Sequence, residues 1–287
     1  MAASTRAPQR HRAREQGISK TPAPAITLSE SDGVRYLHFG TPWVQGAMRL
    51  SRPFALELEY QQQMMAAALL QPQPQRIVLL GLGAAALAKF CWRHCTRAQV
   101  VVVELEPGVV DVARQWFQLP PDDEHLSVVL DDARNYINAP AQRQDADWLL
   151  VDLYDSAARG PVYDDADFYA ACRSALRESG VAAFNLFGHR FAPSFERICT
   201  AFDGHVVALP DTEAGNRIVL GYRGKNFNAA WRAMAQHAQQ LQTLWRLPFV
   251  RWVKALETRT LEKQGEGHAL TAARKPKTDR ECLGNLA

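Results

Sequence analysis

Polar residues stand where several apolar segments of the sequence end, and their side chains could hold a nucleoside and move a proton. The first group is the glycine pair Gly81 and Gly83, which lies between an apolar run and a helix-like stretch. Glycines at such a turn permit a tight bend and a close approach of ligand to backbone. A doubly wound α/β sheet binds nucleotide-like ligands at this position. The motif alone also occurs in ordinary strand-to-helix turns built from small residues.

Carboxylates end the next two apolar runs. Glu104 follows the glycine pair by 21 residues, where adenosine-binding folds hydrogen-bond the ribose hydroxyls. Asp131, Asp132 and Ala133 end the following run, where a carboxylate can accept from an adenine amino group and a backbone N–H can meet a ring nitrogen. We therefore predict a purine nucleoside as the ligand. A dinucleotide is less favoured, because Ala86 replaces the third glycine of the G-x-G-x-x-G motif.

A dense group of aspartates follows the fourth apolar run. Residues 145–167 contain seven aspartates and one arginine. Such a surplus of negative charge near a cleft attracts a cation and repels an anion. Asp152 and Asp155 come directly after the run, so we interpret them as functional. Four others are assigned to a solvated acidic loop, namely Asp145, Asp164, Asp165 and Asp167.

The elements that must position these residues are apolar runs alternating with helix-like stretches. The predicted strands are Arg76–Leu80, Gln99–Val103, Leu126–Leu130, Asp147–Val151, Gly180–Asn185, His205–Leu209 and Arg217–Tyr222. The predicted helices between and before them are Leu56–Leu70, Ala84–His94, Pro107–Trp116, Asp165–Arg177 and Pro193–Phe202. This alternation predicts an α/β fold with a mostly parallel sheet covered on both faces. The last two strands are joined by too few residues for a helical crossover, so we expect an antiparallel hairpin. The fold class is a Rossmann-like, methyltransferase-type sheet of seven strands.

Composition divides the chain into four parts. Residues 1–25 are predicted to be a disordered basic tail, and residues 26–55 a small N-terminal β region around the turn signal Ser31-Asp32-Gly33. Residues 56–224 are predicted to form a nucleoside-binding catalytic domain, and residues 225–287 C-terminal helices and a loose tail. The two ends are basic, and residues 26–250 carry a net charge of −4.

The composition of the 287 residues excludes several classes of protein. With 47% hydrophobic and 22% charged residues, it is typical of a globular chain, and no apolar run reaches the roughly 18 residues that a membrane helix needs. Residues 1–25 lack the apolar block of a signal peptide. Five cysteines in a chain of this length predict reduced thiols, and Cys91, His94 and Cys95 lack a fourth ligand for a metal site. We expect a cytoplasmic protein that binds no metal, no membrane and no nucleic acid.

In this order, the motifs resemble those of the spermidine synthase (polyamine aminopropyltransferase) family, from about Gly33 to Tyr222. They are Val44-Gln45, Tyr60-Gln61, Gly81-x-Gly83, Glu104, Leu119-Pro120-Pro121-Asp122-Asp123, Asp132, Asp152-x-x-Asp155 and Gly160-Pro161. The resemblance implies decarboxylated S-adenosylmethionine as an adenosyl donor and a cationic amine such as putrescine as the acceptor. The donor is a co-substrate, so no tightly bound cofactor is implied. The resemblance also implies a homodimer.

The resemblance assigns a role to each matching position. Glu104 would hold the ribose, Asp132 the adenine amino group and the Pro161 region the adenine edge. Asp152 would accept the proton of the attacking amine. The residues that would bind the acceptor amine are Gln45, Tyr60, Gln61, Tyr154 and Asp155.

The chain departs from the family pattern at two motifs. Family members carry an aspartate directly after the glycine turn, where it binds the donor's terminal ammonium, and this chain has Ala84. The family's Asp-Ser-Ser-Asp-Pro run reads Asp152-Leu153-Tyr154-Asp155-Ser156, with bulkier residues in the channel. Two alternatives therefore stay open: an S-adenosylmethionine-dependent methyltransferase, and a binding protein that keeps a nucleoside or polyamine pocket without turnover. The acidic cleft opposes the carboxylate that a methyl donor carries, which favours aminopropyl transfer.

Overall fold

The computed structural model describes residues 25–154, 161–188, 191–224 and 231–258. The predicted N-terminal tail, except for residue 25, lies outside the described residues, as do the tail from residue 259 and the site candidate Asp155. Within the described part of the chain, no helix combines the length and the apolar character needed to cross a membrane.

A small antiparallel sheet precedes the main domain. Its strands are β1 (Ile26–Ser31), β2 (Val34–Phe39) and β3 (Gly46–Arg49), in the order β1-β2-β3. Asp32 and Gly33 close the first hairpin with positive φ angles of 53° and 73°. This pairing of an Asp with a Gly at positive φ is the turn that matches the twist of a two-residue hairpin. The segment between β2 and β3 leaves the small sheet and reaches the site described below.

The main sheet has the seven strands that the sequence predicts. They are β4 (Arg76–Leu80), β5 (Gln99–Glu104), β6 (Leu126–Leu130), β7 (Ala146–Val151), β8 (Leu176–Phe187), β9 (Val206–Ala208) and β10 (Asn216–Tyr222). Their order is β6-β5-β4-β7-β8-β10-β9. The first five are mutually parallel, and β10 pairs antiparallel with both β8 and β9. The predicted antiparallel hairpin is confirmed.

Eight α-helices accompany the strands in the described residues. They are α1 (Glu59–Met64), α2 (Ala86–His94), α3 (Pro107–Trp116), α4 (Ala133–Asn138), α5 (Ala166–Ala175), α6 (Phe191–Ala201), α7 (Trp231–Trp245) and α8 over residues 249–258. The predicted helix over Leu56–Leu70 is wrong in extent, because α1 tightens into a 3-10 turn at Met65–Leu69. Helix α4 was not predicted, since its six residues are too few to establish a helical period.

The core lies on both faces of the main sheet. Along β4, Ile77 and Leu79 face one apolar layer, while Val78 and Leu80 face the other. This alternation follows from the period of two in a strand, and burial on both faces explains why β4 reads as a continuous apolar run. Because the faces are filled, the polar side chains of the central strands lie near the strand ends.

Candidate active site

A cavity of about 830 Å³ opens at the carboxyl ends of the parallel strands. It lies where the strand order reverses between β4 and β7, the switch point at which open α/β sheets bind ligands. The walls also include the segment between β2 and β3, the start of α1 and the loop between β9 and β10. Sequence-predicted residues that line the cavity are Gln45, Tyr60, Gly81, Gly83, Glu104, Asp131, Asp132, Ala133, Asp152 and Tyr154.

The glycine turn is set by two backbone contacts. Gly81 has a φ of +97°, and a Cβ at this position would collide with the carbonyl oxygen of Asp152. Gly83 has a φ of +51°, and a Cβ there would lie 3.3 Å from the carbonyl oxygen of Gln45. Positive φ and close approach both favour glycine, so the pair is required by the backbone.

Glu104 is fixed at the tip of β5 by the backbone. Its Oε2 accepts a hydrogen bond from the N–H of Leu82 at 3.0 Å, and its Oε1 accepts from the N–H of Glu106 at 2.9 Å. Burial raises the pKa of Glu104, and these backbone N–H groups oppose the rise. Since a carboxylate oxygen has two lone pairs, each oxygen can still accept from a ligand hydroxyl.

Asp132 caps helix α4 at the tip of β6. Its Oδ1 accepts from the backbone N–H groups of Arg134 at 2.9 Å and Asn135 at 3.1 Å. Its Oδ2 accepts a short hydrogen bond from the hydroxyl of Tyr163, a cavity residue that the sequence analysis missed. The Arg134 guanidinium lies 4.4 Å from the centre of the Tyr163 ring and pairs with Asp165. Most of the accepting capacity of Asp132 is therefore engaged, and the remainder belongs to Oδ2.

Asp131 supports the same strand end. Its Oδ1 accepts from the backbone N–H of Asp132 at 2.8 Å, and Ala133 begins α4 at the cavity wall. The N–H of Asp132 is thereby engaged within the protein. We infer that a ligand at this wall would have to meet other backbone groups.

Asp152, at the end of β7, receives hydrogen bonds on both carboxylate oxygens. The Tyr60 hydroxyl donates to Oδ2 at 3.1 Å, and Asn185 Nδ2 donates to Oδ1 at 2.8 Å. Burial raises the pKa of Asp152, while these two donors lower it. Burial also raises the pKa of Tyr60 well above its ordinary value, so the phenol stays neutral and keeps its proton for this bond.

Two asparagines connect Asp152 to the antiparallel end of the sheet. Asn216 Nδ2 donates to Asn185 Oδ1 at 3.0 Å, and the Tyr154 hydroxyl donates to the backbone carbonyl of Asn185 at 2.9 Å. Both asparagines line the cavity, and neither was predicted as a site residue. A signal for Asn185 existed, since it is a polar residue at the end of an apolar run, like Asp152.

The cavity is strongly acidic. Among the described residues that line it there is no lysine, arginine or histidine, whereas eight are carboxylic acids. These are Glu57, Glu59, Glu104, Glu106, Asp131, Asp132, Asp152 and Glu213. Glu57 forms an ion pair with Arg49, and Glu59 Oε2 accepts from the backbone N–H of Glu213 at 3.0 Å. A cleft with this charge favours a cationic ligand.

Three of the four aspartates assigned to a solvated loop are instead ion-paired outside the cavity. Asp145 pairs with Arg76 and Arg177, Asp164 with Arg197, and Asp165 with Arg134. The assignment to a solvated loop fails for Asp164, whose side chain is 14% exposed, whereas Asp165 stays 46% exposed beside Arg134. Asp167 is exposed on the first turn of α5.

Two predicted acceptor or nucleoside residues do not line the cavity. Gln61 is buried behind Tyr60 and donates its Nε2 to the Tyr60 hydroxyl at 3.2 Å, so its contact with the cavity is indirect. Pro161 forms an isolated bridge with Tyr154 and borders a separate small recess. Its neighbour Val162 lines the cavity in its place, with an exposed side chain.

Ala84 is turned away from the cavity. Its side chain is 2% exposed and packs in a cluster with Leu37, Met48 and Phe117. It lies so close to β3 that a Cβ on Gly46 would come within 2.5 Å of the Ala84 Cβ. This position holds the small sheet against the main domain.

Sequence comparisons identify relatives with one activity. The model of the spermine/spermidine synthase domain matches residues 57–185. A polyamine aminopropyltransferase of Chromobacterium violaceum is 31% identical over 249 residues, covering 86% of this chain and 94% of the relative. One of Neisseria meningitidis serogroup A is 28% identical over 251 residues, covering 86% and 95%.

Solved structures share the fold. A probable spermidine synthase from Corynebacterium glutamicum superimposes with a TM-score of 0.64 at 20% identity, covering 77% of this chain and 86% of its own. Human methyltransferase-like protein 13 in complex with SAH gives 0.57 at 21% identity, covering 66% and 93%. These likenesses confirm the predicted Rossmann-like, methyltransferase-type sheet.

Proposed function

The chain belongs to the polyamine aminopropyltransferase (spermidine synthase) family and is a transferase, and on this premise we propose that it moves an aminopropyl group from decarboxylated S-adenosylmethionine to a di- or polyamine. The observation that carries the proposal is one acidic cavity lined by Glu104, Asp132 and Asp152 together. Glu104 and Asp132 would accept hydrogen bonds from the nucleoside, and Asp152 would face the acceptor amine.

The nucleoside half of the donor fits the tips of β5 and β6. Glu104, held by the N–H groups of Leu82 and Glu106, would accept from the ribose hydroxyls. The remaining lone pair of Asp132 Oδ2 would accept from the adenine amino group. The glycine turn would bring the backbone close to the nucleoside, as such turns do in this class of sheet.

The charge of the cavity favours the decarboxylated donor. Decarboxylation leaves the sulfonium and the terminal ammonium, two positive charges, without the carboxylate of the parent compound. Eight acidic side chains and no basic one among the described lining residues attract such a dication and a cationic acceptor.

The transfer is a displacement at carbon. The lone pair of a neutral primary amine attacks the methylene carbon next to the sulfonium, the C–S bond breaks with its electrons going to sulfur, and 5′-methylthioadenosine leaves. The new C–N bond makes the nitrogen cationic, and Asp152 accepts its proton. Burial raises the pKa of Asp152, which brings it closer to the pKa of the amine.

An aspartate remains a weak base toward an amine with a pKa near 10. Asp152 therefore contributes mainly by orientation and by stabilising the developing positive charge. Tyr60 and Asn185 supply that orientation, since each holds one carboxylate oxygen.

A turnover matrix tests the proposal. Purified protein is incubated with S-adenosylmethionine or its decarboxylated form and with putrescine, cadaverine or spermidine, and methylthioadenosine and adenosylhomocysteine are quantified. Amine-dependent release of methylthioadenosine is expected only with the decarboxylated donor. Release of adenosylhomocysteine would identify a methyltransferase, and no turnover of either donor would leave a binding protein.

One observation favours methyl transfer as a second candidate. Ala84 is buried against β3, so this position supplies no carboxylate for the donor's terminal ammonium. Competition calorimetry between the two donors separates the candidates, because tighter binding of the carboxylated donor would reject aminopropyl transfer.

The compartment and the assembly are part of the same proposal. The cysteines in the described part of the chain are free thiols, which supports a reducing cytoplasm. Cell fractionation tests this location.

The family resemblance carries the proposal of a homodimer, which light scattering of the purified protein tests.

A further inference from the structure

Three side chains form a line of hydrogen bonds from β10 to Asp152. Asn216 Nδ2 donates to Asn185 Oδ1 at 3.0 Å, and Asn185 Nδ2 donates to Asp152 Oδ1 at 2.8 Å. Asn185 and Asn216 are 4% and 9% exposed. A side-chain amide has a donor end and an acceptor end, so each bond in the line fixes the direction of the next.

We propose that Asn216 is a positioning residue: it acts through Asn185 to hold the amide donor of Asn185 against Asp152 and thereby fixes the carboxylate for proton acceptance. This inference rests on the proposed function of Asp152. It assigns a role in the reaction to Asn216, which does not contact Asp152 directly.

The sheet register brings the two asparagines together. β10 runs antiparallel to β8, with Asn216 opposite Phe187 and Ile218 opposite Asn185. Residues two apart along a strand share a face, so Asn216 and Asn185 are diagonal neighbours on the same face of the sheet. The backbone N–H of Asn216 donates to Thr212 Oγ1 at 2.9 Å, which fixes the start of β10.

The direction of the line follows from the chemistry of its ends. An ionised carboxylate only accepts hydrogen bonds, so Asn185 must present its nitrogen to Asp152 and its oxygen to the other side. Asn216 supplies the donor that this oxygen needs. If the Asn185 amide were reversed, its oxygen would face a carboxylate oxygen of Asp152 at a buried side chain, which is costly.

Other groups near Asp152 do not replace this control. Among the described residues, the titratable side chains that interact with Asp152 are Tyr60 from α1 and Tyr154 from the loop after β7. Burial raises the pKa of both phenols, so both are neutral at neutral pH. Tyr60 bonds the opposite carboxylate oxygen, and Tyr154 bonds the backbone of Asn185.

A double-mutant cycle tests the line with two readouts. We compare Asn185→Ala, Asn216→Ala and the double variant for two quantities, kcat and the pKa of Asp152. The pKa is measured by a ¹³C NMR titration of carboxyl-labelled protein, in which the Asp152→Asn variant identifies the Asp152 signal. The Asn185 donor lowers the pKa of Asp152. Asn185→Ala should therefore raise that pKa and reduce kcat about tenfold, and Asn216→Ala should shift both in the same direction, with kcat reduced about threefold.

The decisive result is the double variant. If Asn216 acts through Asn185, the double variant matches Asn185→Ala within a factor of two in kcat and has the same Asp152 pKa. Multiplied effects in the double variant, or an Asn216→Ala variant with an unmoved Asp152 pKa, would overturn the inference. Arg217→Lys is the matched control, since its side chain is next to Asn216 on the opposite face and pairs with Asp211.

The two readouts separate this inference from the proposed function. The NMR titration needs no turnover, so it decides the role of Asn216 even if the wild-type protein transfers no aminopropyl group. Conversely, an active wild-type enzyme with independent effects at the two asparagines would leave the proposed function intact and reject the line. Asn216→Ser serves if Asn216→Ala does not fold.

Discussion

The hydroxyl of Tyr60 donates a hydrogen bond to Asp152 Oδ2 across 3.1 Å, although the two residues are 92 positions apart in the chain. Tyr60 comes from α1, before the first strand of the main sheet, and Asp152 from the end of the fourth. This side of the cavity is thus assembled from segments that are distant in the chain, and its parts can be tested separately.

Tyr60→Phe should move the acid limb of activity to higher pH. The Tyr60 hydrogen bond stabilises the ionised carboxylate and lowers the pKa of Asp152, so its loss raises that pKa. Because the ionised form accepts the proton, activity should fall at a higher pH than in the wild type, with kcat reduced about tenfold. The pH profile of kcat/KM measures the shift, with Tyr36→Phe, in the small sheet, as the control. An unmoved limb would contradict the assignment.

Asp152→Asn should separate chemistry from nucleoside binding. The amide cannot accept the amine proton, so turnover is expected to fall by at least roughly 100-fold. The affinity for methylthioadenosine, measured by calorimetry, should stay nearly unchanged, because the proposed nucleoside position is at the tips of β5 and β6. Asp167→Asn, at an exposed position on α5, should leave both quantities unchanged. Joint loss of turnover and binding would make Asp152 a structural residue.

Nucleoside binding should weaken at low pH through Glu104. Burial raises the pKa of Glu104, so part of it is protonated at a mildly acidic pH where an ordinary glutamate is ionised. A protonated carboxyl accepts ribose hydroxyls poorly, and the affinity for methylthioadenosine should decrease as the pH falls through this pKa. Glu104→Gln should bind at least about tenfold more weakly at neutral pH and lack this dependence. Calorimetry at a series of pH values measures the affinity of both proteins for methylthioadenosine. A wild-type affinity that does not change with pH would count against a ribose-binding role for Glu104.

Ala84→Asp should destabilise the protein without improving donor binding. The side chain is buried against Gly46 and the cluster around Met48, so a carboxylate there would be desolvated and crowded. A loss of at least about 3 kcal/mol in the free energy of unfolding is expected, by denaturant titration. Ala166→Asp is the control, at an exposed position at the start of α5. A variant of wild-type stability with tighter donor binding would show that position 84 reaches the cavity.

Lys89 should make stability depend on alkaline pH. It is 1% exposed, and its Nζ donates to the carbonyl of Phe117 at 2.6 Å and to Met48 Sδ at 3.2 Å. Burial lowers its pKa from 10.5 to about 8. Between these values the unfolded chain holds a proton that the folded protein has released, so stability rises with pH.

Lys89→Met removes this contribution. The wild-type free energy of unfolding, relative to that of Lys89→Met, should increase by about 3 kcal/mol from pH 7 to pH 11. Denaturant titrations at each pH measure the difference. A difference that stays constant with pH would mean that the pKa of Lys89 is not lowered in the folded protein.

The sheet could be predicted because its strands are buried on both faces. Runs such as Arg76–Leu80 and Leu126–Leu130 match the observed strands residue for residue. Asp152 and Glu104 were found for a related reason: a charged side chain at the end of a buried strand must emerge at the sheet edge. A helix as short as α4 has too few residues to show a periodic pattern of burial, so the sequence does not predict it.

The rest of the site depends on pairings between distant segments. Asn216 and Tyr163 reach the site through strand register and loop packing, which single residue types do not reveal. The orientation of Ala84 depends on β3, a strand more than thirty positions earlier in the chain. Gln61 was assigned to the amine channel with its neighbour Tyr60, but adjacent helix positions face different directions.

The contact of Gly81 with the carbonyl of Asp152 has a consequence for how this protein can diverge. Any side chain at position 81 would push the backbone of Asp152, so a change in the glycine turn, on the proposed nucleoside side, displaces the proposed proton acceptor. The Cβ that any other residue would bring to position 81 therefore couples substitutions in the glycine turn to the position of Asp152. We expect substitutions around the mouth of the cavity to be tolerated more readily than any side chain at position 81.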